Sequence, residues 1–322
     1  MSQEAALTPH AWRQALVNRA RSAVASSSPP RTAVCHPCDD NALQAAIEAA
    51  EAGLITPILV GPQAKLEKAA ANIGADLSKY ACLYTAHSHE SAAQSVALIR
   101  KGEASLLMKG SLHTDELMHE VTLAETGLRT ARRVSHVYLI DTAAYPRPLM
   151  ITDAAVNIAP DLLEKADIIQ NAIDLAHVIG IARPRVAILS AVETVNPKLQ
   201  STLDAAALCK MADRGQITGA ELDGPLAFDN AVNPEAAAEK GIVSNVAGRA
   251  DILVAPDLVA GNILAKLLIY LAGADAAGVV LGARVPIILT SRADSPETRI
   301  ASCAVAVLMA HGMEGLKGLI PL

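Results

Sequence analysis

The sequence predicts an α/β protein whose strands run parallel and are joined by crossover helices. Two patterns carry that reading. Short aliphatic runs alternate along the chain with longer Ala-rich stretches of helical period, the order that βαβ units produce. The aliphatic runs are also continuous, without polar residues at every second place, as in strands covered on both faces. The 322 residues, at roughly 150 per domain, suggest two domains.

The elements follow in order. Residues 1–24 read as a helix, broken by Ser26-Ser27-Ser28-Pro29-Pro30, a run that cannot continue it. Thr32–Cys35 is strand-like, and Asn41–Ala52 is a helix entered through Asp39-Asp40 and stopped at Gly53. Pro57–Val60 is the next strand and Gln63–Asn72 the next helix. Further strands are expected at Ser105–Met108, His136–Ile140, Val186–Ser190, Ile252–Ala255 and Val285–Thr290. Helices are expected at Glu164–Ile179, Lys198–Asp213, Asn262–Ala272 and Pro296–Ala310. The expected division is an N-terminal helix and linker over 1–30, one α/β domain over 31–135 plus 280–322, and a second over 136–279. Tyr145–Pro148 marks a crossing between domains in this reading, and Gly273–Gly282 a return.

Composition excludes several classes. The formal charge is −6 and no long Lys/Arg run occurs, which argues against a nucleic-acid-binding surface. The apolar tract Ile300–Met313 is shorter than the roughly 20 residues a membrane span needs. Residues 1–30 lack an apolar signal core, so a cytoplasmic location is expected. Cys35, Cys38, Cys82, Cys209 and Cys303 form an odd set, unlike a disulfide framework. Cys35-His-Pro-Cys38 is a C-x-x-C without a second pair of ligands, so core thiols are expected there and no metal.

Three strand-to-helix junctions carry side chains suited to chemistry, at the place where ligands collect in open α/β sheets. After the strand ending at Thr290 come Ser291, Arg292 and Asp294, then Ser295-Pro296 as cap and first helical residue. Arg292 and Ser291 beside a helix N-terminus suit a phosphate or carboxylate; a capped helix with a surface Arg fits the pattern as well. After Met108 come Lys109, Gly110, Ser111 and His113. They read either as anion binder and proton relay or as a solvated Lys and a locally bonded His. After Ala255 come Asp257, then Gly261-Asn262 opening a helix that carries Lys266; Gly261 either admits a ligand to the backbone or fits the turn. The glycine-rich nucleotide signatures, H-E-x-x-H and G-x-S-x-G are absent.

Taken together, the segments AVCHPCDDNALQAA, LLMKGSLHTDEL, ITDAAVNIAPDLLEK, NVAGRADILVAPDLVAGNILAKLL and ILTSRADSPETR resemble the phosphate acetyl/butyryl transferases. The likeness runs from about Arg31 onward. The wording of ITDAAVNIAPDL and TSRADSPET is nearer the butyryltransferase branch. The resemblance implies two doubly wound α/β domains around a cleft, as in isocitrate and isopropylmalate dehydrogenases, in a homodimer or larger homo-oligomer. It implies the reaction acyl-CoA + phosphate ⇌ acyl phosphate + CoA. The partners would be coenzyme A, acyl phosphate and inorganic phosphate, with no cofactor beyond coenzyme A as substrate.

In this family the pair matching Ser291-Arg292 lies in the active cleft, the Arg holding phosphate and the Ser assisting at the reacting centre. From the three junctions, Lys109, Gly110, Thr298, Gly261, Asn262 and Lys266 are expected around the substrate. Two positions depart. Where the acetyltransferases carry an Asp proposed to deprotonate the thiol, this chain has Thr298; where they carry a phosphate-contacting Arg after the HTDEL-like motif, it has Met118. The base role then falls to Asp294 or His113. Two rivals remain at this stage. One is an NAD- and metal-dependent hydroxy-acid dehydrogenase of the same fold, needing Asp223, Asp229, Asp251 and Asp257 to converge. The other is a non-catalytic acyl-CoA-binding protein.

Overall fold

A computed structural model describes residues 11–25, 28–290 and 294–316. The chain forms two compact units. A middle unit holds Arg133–Ala276 with a short N-terminal piece up to Arg13, and a terminal unit holds Gln14–Arg132 with the chain from Ala277 onward.

In chain order, α1 (Ala11–Val24), β1 (Arg31–Cys35), α2 (Asp40–Glu51), β2 (Thr56–Gly61), α3 (Gln63–Ile73), β3 (Ala81–Tyr84), α4 (Ser88–Arg100), β4 (Leu106–Lys109) and α5 (Thr114–Thr122) come first. The middle unit contributes β5 (Ser135–Asp141), β6 (Leu149–Thr152), α6 (Leu162–Val178), β7 (Arg185–Leu189), α7 (Gln200–Asp213) and β8 (Glu221–Leu226). It continues with α8 (Phe228–Val232), α9 (Pro234–Glu239), β9 (Ile252–Val254) and α10 (Leu258–Tyr270). The chain then closes the terminal unit with β10 (Asp275–Leu281), β11 (Ile287–Ile288) and α11 (Pro296–Leu316).

In the terminal unit the strands lie in the order β3-β2-β1-β4-β11-β10. All neighbours are parallel except β10 and β11. The helices after β1 and β2 lead one way along the sheet, and α4 leads back across it. Right-handed crossovers therefore set them on opposite faces, and α2 packs with α3 and α11 while α4 packs with α5. In α1, Leu16, Val17, Ala20 and Val24 are buried at helical spacing. The Pro29 and Pro30 carbonyls accept hydrogen bonds from Thr56, which ties the break after α1 to the start of β2.

In the middle unit the order is β5-β6-β9-β7-β8, parallel but for the β5–β6 pair. Helices α6 and α7 pack together, and the other face of the sheet shares a core with Ala231, Ala237 and Ala265 of α8, α9 and α10. Tyr145–Pro148 lies in the connection between antiparallel β5 and β6, inside this unit, so it is not a crossing between domains. Its Tyr145 hydroxyl donates to the Ala250 carbonyl at 2.7 Å.

Most expected strands and helices stand within two residues of the sequence reading. The strand expected over Val285–Thr290 shrinks to Ile287–Ile288, because Pro286 brings no backbone donor to the ladder. Helix α10 begins at Leu258, capped by the Asp257 carboxylate on the Ala260 N–H at 2.9 Å. Gly261 and Asn262 thus lie inside the helix and do not open it.

Candidate active site

Three parallel strands of the terminal unit end side by side. Cys35 of β1 stands opposite Lys109 of β4, and Ile288 of β11 stands opposite Met108. The loops after β1 and β4 and the chain after Ile288 therefore leave the sheet at one end. The helices after β1 and β4 go to opposite faces, which opens a crevice between those two loops, the usual ligand position in such sheets. A cavity of about 820 Å³ lies there, reaching His36, Lys65, Lys68, Ser111, His113 and Glu116.

The two loops are laced together. The Gly110 N–H donates to the Cys35 carbonyl at 2.8 Å, and the Ser111 N–H to that of His36 at 2.9 Å. The Ser111 hydroxyl donates to the same His36 carbonyl at 2.8 Å and accepts from the Cys38 N–H at 3.2 Å. A Cβ on Gly110 would stand 2.4 Å from the Cys35 carbonyl oxygen, so only glycine fits. This close approach of two backbones is what requires glycine at position 110.

Lys109 is the last residue of β4 and only 6% exposed, which removes the solvated-lysine reading. Its Nζ donates to the Gly110 carbonyl at 3.2 Å, and it has further partners. His113 caps α5 in position only: it is exposed and its ring makes no capping hydrogen bond. His36, buried at the cavity, is held below the usual imidazole range by burial and then by the Lys65 charge. Its Nδ1 lies 3.0 Å from the Ser91 hydroxyl. Glu116 is held below the usual carboxylate range, chiefly by the Ser88 hydroxyl. The thiols of Cys35 and Cys38 are pushed up to about 12 and about 11 by burial. Both are therefore protonated near neutral pH, as core thiols are, and poor nucleophiles.

Ser291 and Arg292 lie outside the described residues. Beyond them, Asp294 is half-buried and engaged with neighbours. The Ser295 hydroxyl accepts from the Thr298 N–H at 3.2 Å, the expected cap of α11. Thr298 therefore sits in the first turn, and its Oγ1 lies 3.4 Å from the Ser295 hydroxyl. Arg299, buried at the next position, donates to the Asn41 carbonyl at 3.0 Å and so docks the start of α11 against the start of α2. Sequence reading passed over Arg299, Lys65, Lys68 and His36. A charged residue in the first turn of a helix carries no mark of burial, and α3 shows its lysines only as a polar face. Met118, where the acetyltransferases carry an Arg, is buried on α5.

Gly261, Asn262 and Lys266 belong to the middle unit. A Cβ on Gly261 would stand 2.3 Å from the Asp153 carbonyl oxygen, and the Asn262 side chain donates to the Ala154 carbonyl at 3.0 Å. The pair clamps α10 onto the loop after β6, whose Asp153 carboxylate accepts from the N–H groups of His136, Ala155, Val156 and Asn157. Lys266 is exposed, with its Nζ 6.0 Å from the Tyr270 ring centre.

The aspartates a dehydrogenase would need are separately engaged. Asp257 caps α10, Asp251 accepts from the Arg185 N–H and pairs with Arg147, Asp229 approaches Lys240, and Asp223 accepts from the Gly224 N–H. Among the described residues no group of three or more His, Cys, Asp or Glu could hold a metal ion.

A family model described as phosphate acetyl/butaryl transferase matches residues 85–307. The chain belongs to the phosphate acetyl/butyryl transferase family. This acyltransferase is 63% identical over 293 residues to a phosphate acetyltransferase of Rhizobium meliloti, covering 91% of this chain and 93% of that one. It is 42% identical over 287 residues to a phosphate butyryltransferase of Clostridium acetobutylicum, covering 89% and 95%. A branched-chain phosphotransacylase from Enterococcus faecalis V583 superposes with a TM-score of 0.76 at 29% identity, over 88% of this chain and 99% of that one. The greater identity to the acetyltransferase shows that the butyryl-like wording of two segments does not extend over the whole transferase.

Proposed function

We propose that the protein interconverts acyl-CoA and phosphate with acyl phosphate and CoA, with acetyl as its first acyl group. The observation that carries this is the common end at which LLMKGSLHTDEL and the chain leading into TSRADSPET leave the sheet, in a chain of this family. In this reading Arg292 and the buried Lys109 hold the phosphoryl group at the start of α11, where the helix dipole favours an anion. The CoA sulfur attacks the acyl carbon, and the tetrahedral oxyanion takes hydrogen bonds from Ser291 and backbone N–H groups, a donor of this kind contributing about 3 kcal/mol. The oxyanion then collapses, the bond from carbon to the phosphate oxygen breaks, and phosphate leaves with the electron pair.

The thiol proton passes to a base. A thiol of pKa about 8.5 is a few per cent ionised near neutral pH, so a modest base suffices. His113, exposed and uncapped, is assigned that role, with Asp294 as the other candidate. No metal is assigned. The fold is taken as the isocitrate/isopropylmalate dehydrogenase type on the family likeness. A homodimer is supported by the exposed apolar side chains Val259, Ile263, Leu267 and Tyr270 along α10, and a cytoplasmic site of action is in keeping with these soluble substrates. No described helix is long and apolar enough to cross a membrane.

The test is CoA thioester formation from acetyl phosphate and from butyryl phosphate, side by side, without added metal. Turnover of acetyl phosphate at the higher kcat/KM is expected; no turnover of either by folded protein sinks the reading. Arg292→Ala should lower turnover at least about tenfold, since a charge-assisted hydrogen bond contributes roughly 1.5–3 kcal/mol. Unchanged kinetics would remove Arg292 from the phosphate site.

A further inference from the structure

The middle unit carries a second cavity, of about 960 Å³, within the range of small-molecule sites. It lies where the loops after the adjacent parallel strands β7 and β9 diverge, α7 packing with α6 and α10 sharing the core of the opposite face. That is the topological switch point of this sheet. None of its lining enters the reaction proposed above.

The lining is mostly aliphatic and includes Phe228, the one Phe of the chain, left 41% exposed. Set in this apolar wall are Lys165 and Asp204, 6% and 8% exposed and 2.6 Å apart. The second oxygen of Asp204 accepts from the Gln200 amide at 2.8 Å. Among the described residues Asp204 is the one hydrogen-bond partner of the Lys165 ammonium, which has three N–H donors. A buried ammonium is thus left with donors to offer, beside a carboxylate with lone pairs to spare. Asp161 and Asp257, whose carboxylates cap α6 and α10, make the lining net negative, which disfavours a phosphate or carboxylate ligand.

The wall therefore asks for a neutral molecule with an apolar flat face and, on one edge, an acceptor next to a donor. The 6-aminopurine ring has that edge, a ring nitrogen accepting beside an amino group donating, and aromatic side chains stack on purines. A secondary amide does not, because its trans geometry sets C=O and N–H on opposite sides. We infer that the cavity of the middle unit binds an adenine ring, Lys165 and Asp204 reading its amino edge and Phe228 stacking on its face. CoA, a substrate in the reading above, is one carrier of adenine; a free adenine nucleotide is the other.

Adenosine and inosine, titrated into the full-length protein by calorimetry, test this directly, because inosine carries a 6-oxo group and a protonated N1 and so loses the matching edge. Adenosine should bind and inosine at least about tenfold more weakly, and Phe228→Ala, at a part-exposed position, should weaken adenosine about tenfold. Displacement by CoA makes CoA the source of the adenine; adenosine binding that persists at saturating CoA makes it a free nucleotide. No adenosine binding at millimolar concentration, equal binding of inosine, or no effect of Phe228→Ala overturns the inference. Acyl transfer by the same wild-type preparation is read separately, so either proposal fails without the other.

Discussion

Each unit of this chain places a cavity at the switch point of its own parallel sheet, between two strands whose following helices take opposite faces. In the terminal unit the loops after β1 and β4 are stitched by Gly110, Ser111 and Cys38, and the lining mixes lysines, histidines and carboxylates. In the middle unit the corresponding loops are lined by aliphatic side chains, with one buried ion pair and two capping aspartates. Topology supplies the position of a site in both cases, and the loop residues decide its chemistry. The contrast also separates residues that the sequence grouped together. Ser111 and His113 line the polar cavity, whereas Gly261 and Asn262 brace α10 in the middle unit, outside the lining of either.

The largest effect on this contrast should come from the ion pair. Lys165→Met leaves the Asp204 charge buried without its partner, and breaking such a pair costs about 3–5 kcal/mol. Denaturant unfolding followed by hydrogen exchange should show the loss confined to middle-unit amides. Adding Asp204→Leu should recover most of it; a double variant as unstable as the single one would mean that the pair contributes more than mutual neutralisation.

Next comes Gly110→Ala, whose new Cβ meets the Cys35 and His36 carbonyls. Overpacking of this order costs about 1–3 kcal/mol, and the strain falls on the loops that carry Lys109 and His113. Thermal unfolding should shift downward and acyl transfer should fall with it. Wild-type values for both would break the claim that close backbone approach builds the polar cavity.

A pH dependence is expected from the middle unit as well. His136 is buried with neither ring nitrogen hydrogen-bonded, and burial, only partly opposed by the Asp153 charge, lowers its pKa to about 4. The unfolded chain titrates near 6.5. Between those values the unfolded state binds a proton that the folded state does not, so stability is intact above pH 6.5 and declines as pH falls toward 4. His136→Phe should flatten the acid limb of a chemical-denaturation series; an unchanged limb would assign it to other groups.

The smallest effect is expected at Lys266. Lys266→Ala on the exposed side of α10 should change stability by less than about 0.5 kcal/mol and leave the KM for CoA unchanged. A raised KM would return that lysine to the substrate site.

The strands legible in the sequence were those buried on both faces, such as β1, β4 and β7, because continuous aliphatic runs have no other use in a chain of this kind. Strands β3 and β8 escaped for opposite reasons. The first is a half-exposed edge strand of four residues; the second, Glu221–Leu226, carries Asp, Gly and Pro, which strand propensity disfavours and only an edge position tolerates. Strand β6 hid behind the Pro-containing turn that sequence reading mistook for a domain crossing. At the site, Lys109, Gly110 and His113 were visible because they follow a strand and precede a helix. His36, Lys65 and Arg299 were not, since each acquires its role from a partner far away in the chain.

By itself the sequence determined the α/β class, the buried strands, the Ser295 cap of α11 and the family, because each rests on local periodicity, capping chemistry or ordered motifs. Tertiary structure alone decided which strands adjoin and which glycines meet a backbone, and it made Lys109 and Lys165 buried charges. Those outcomes depend on register and strand order, which bring together residues that no local pattern relates.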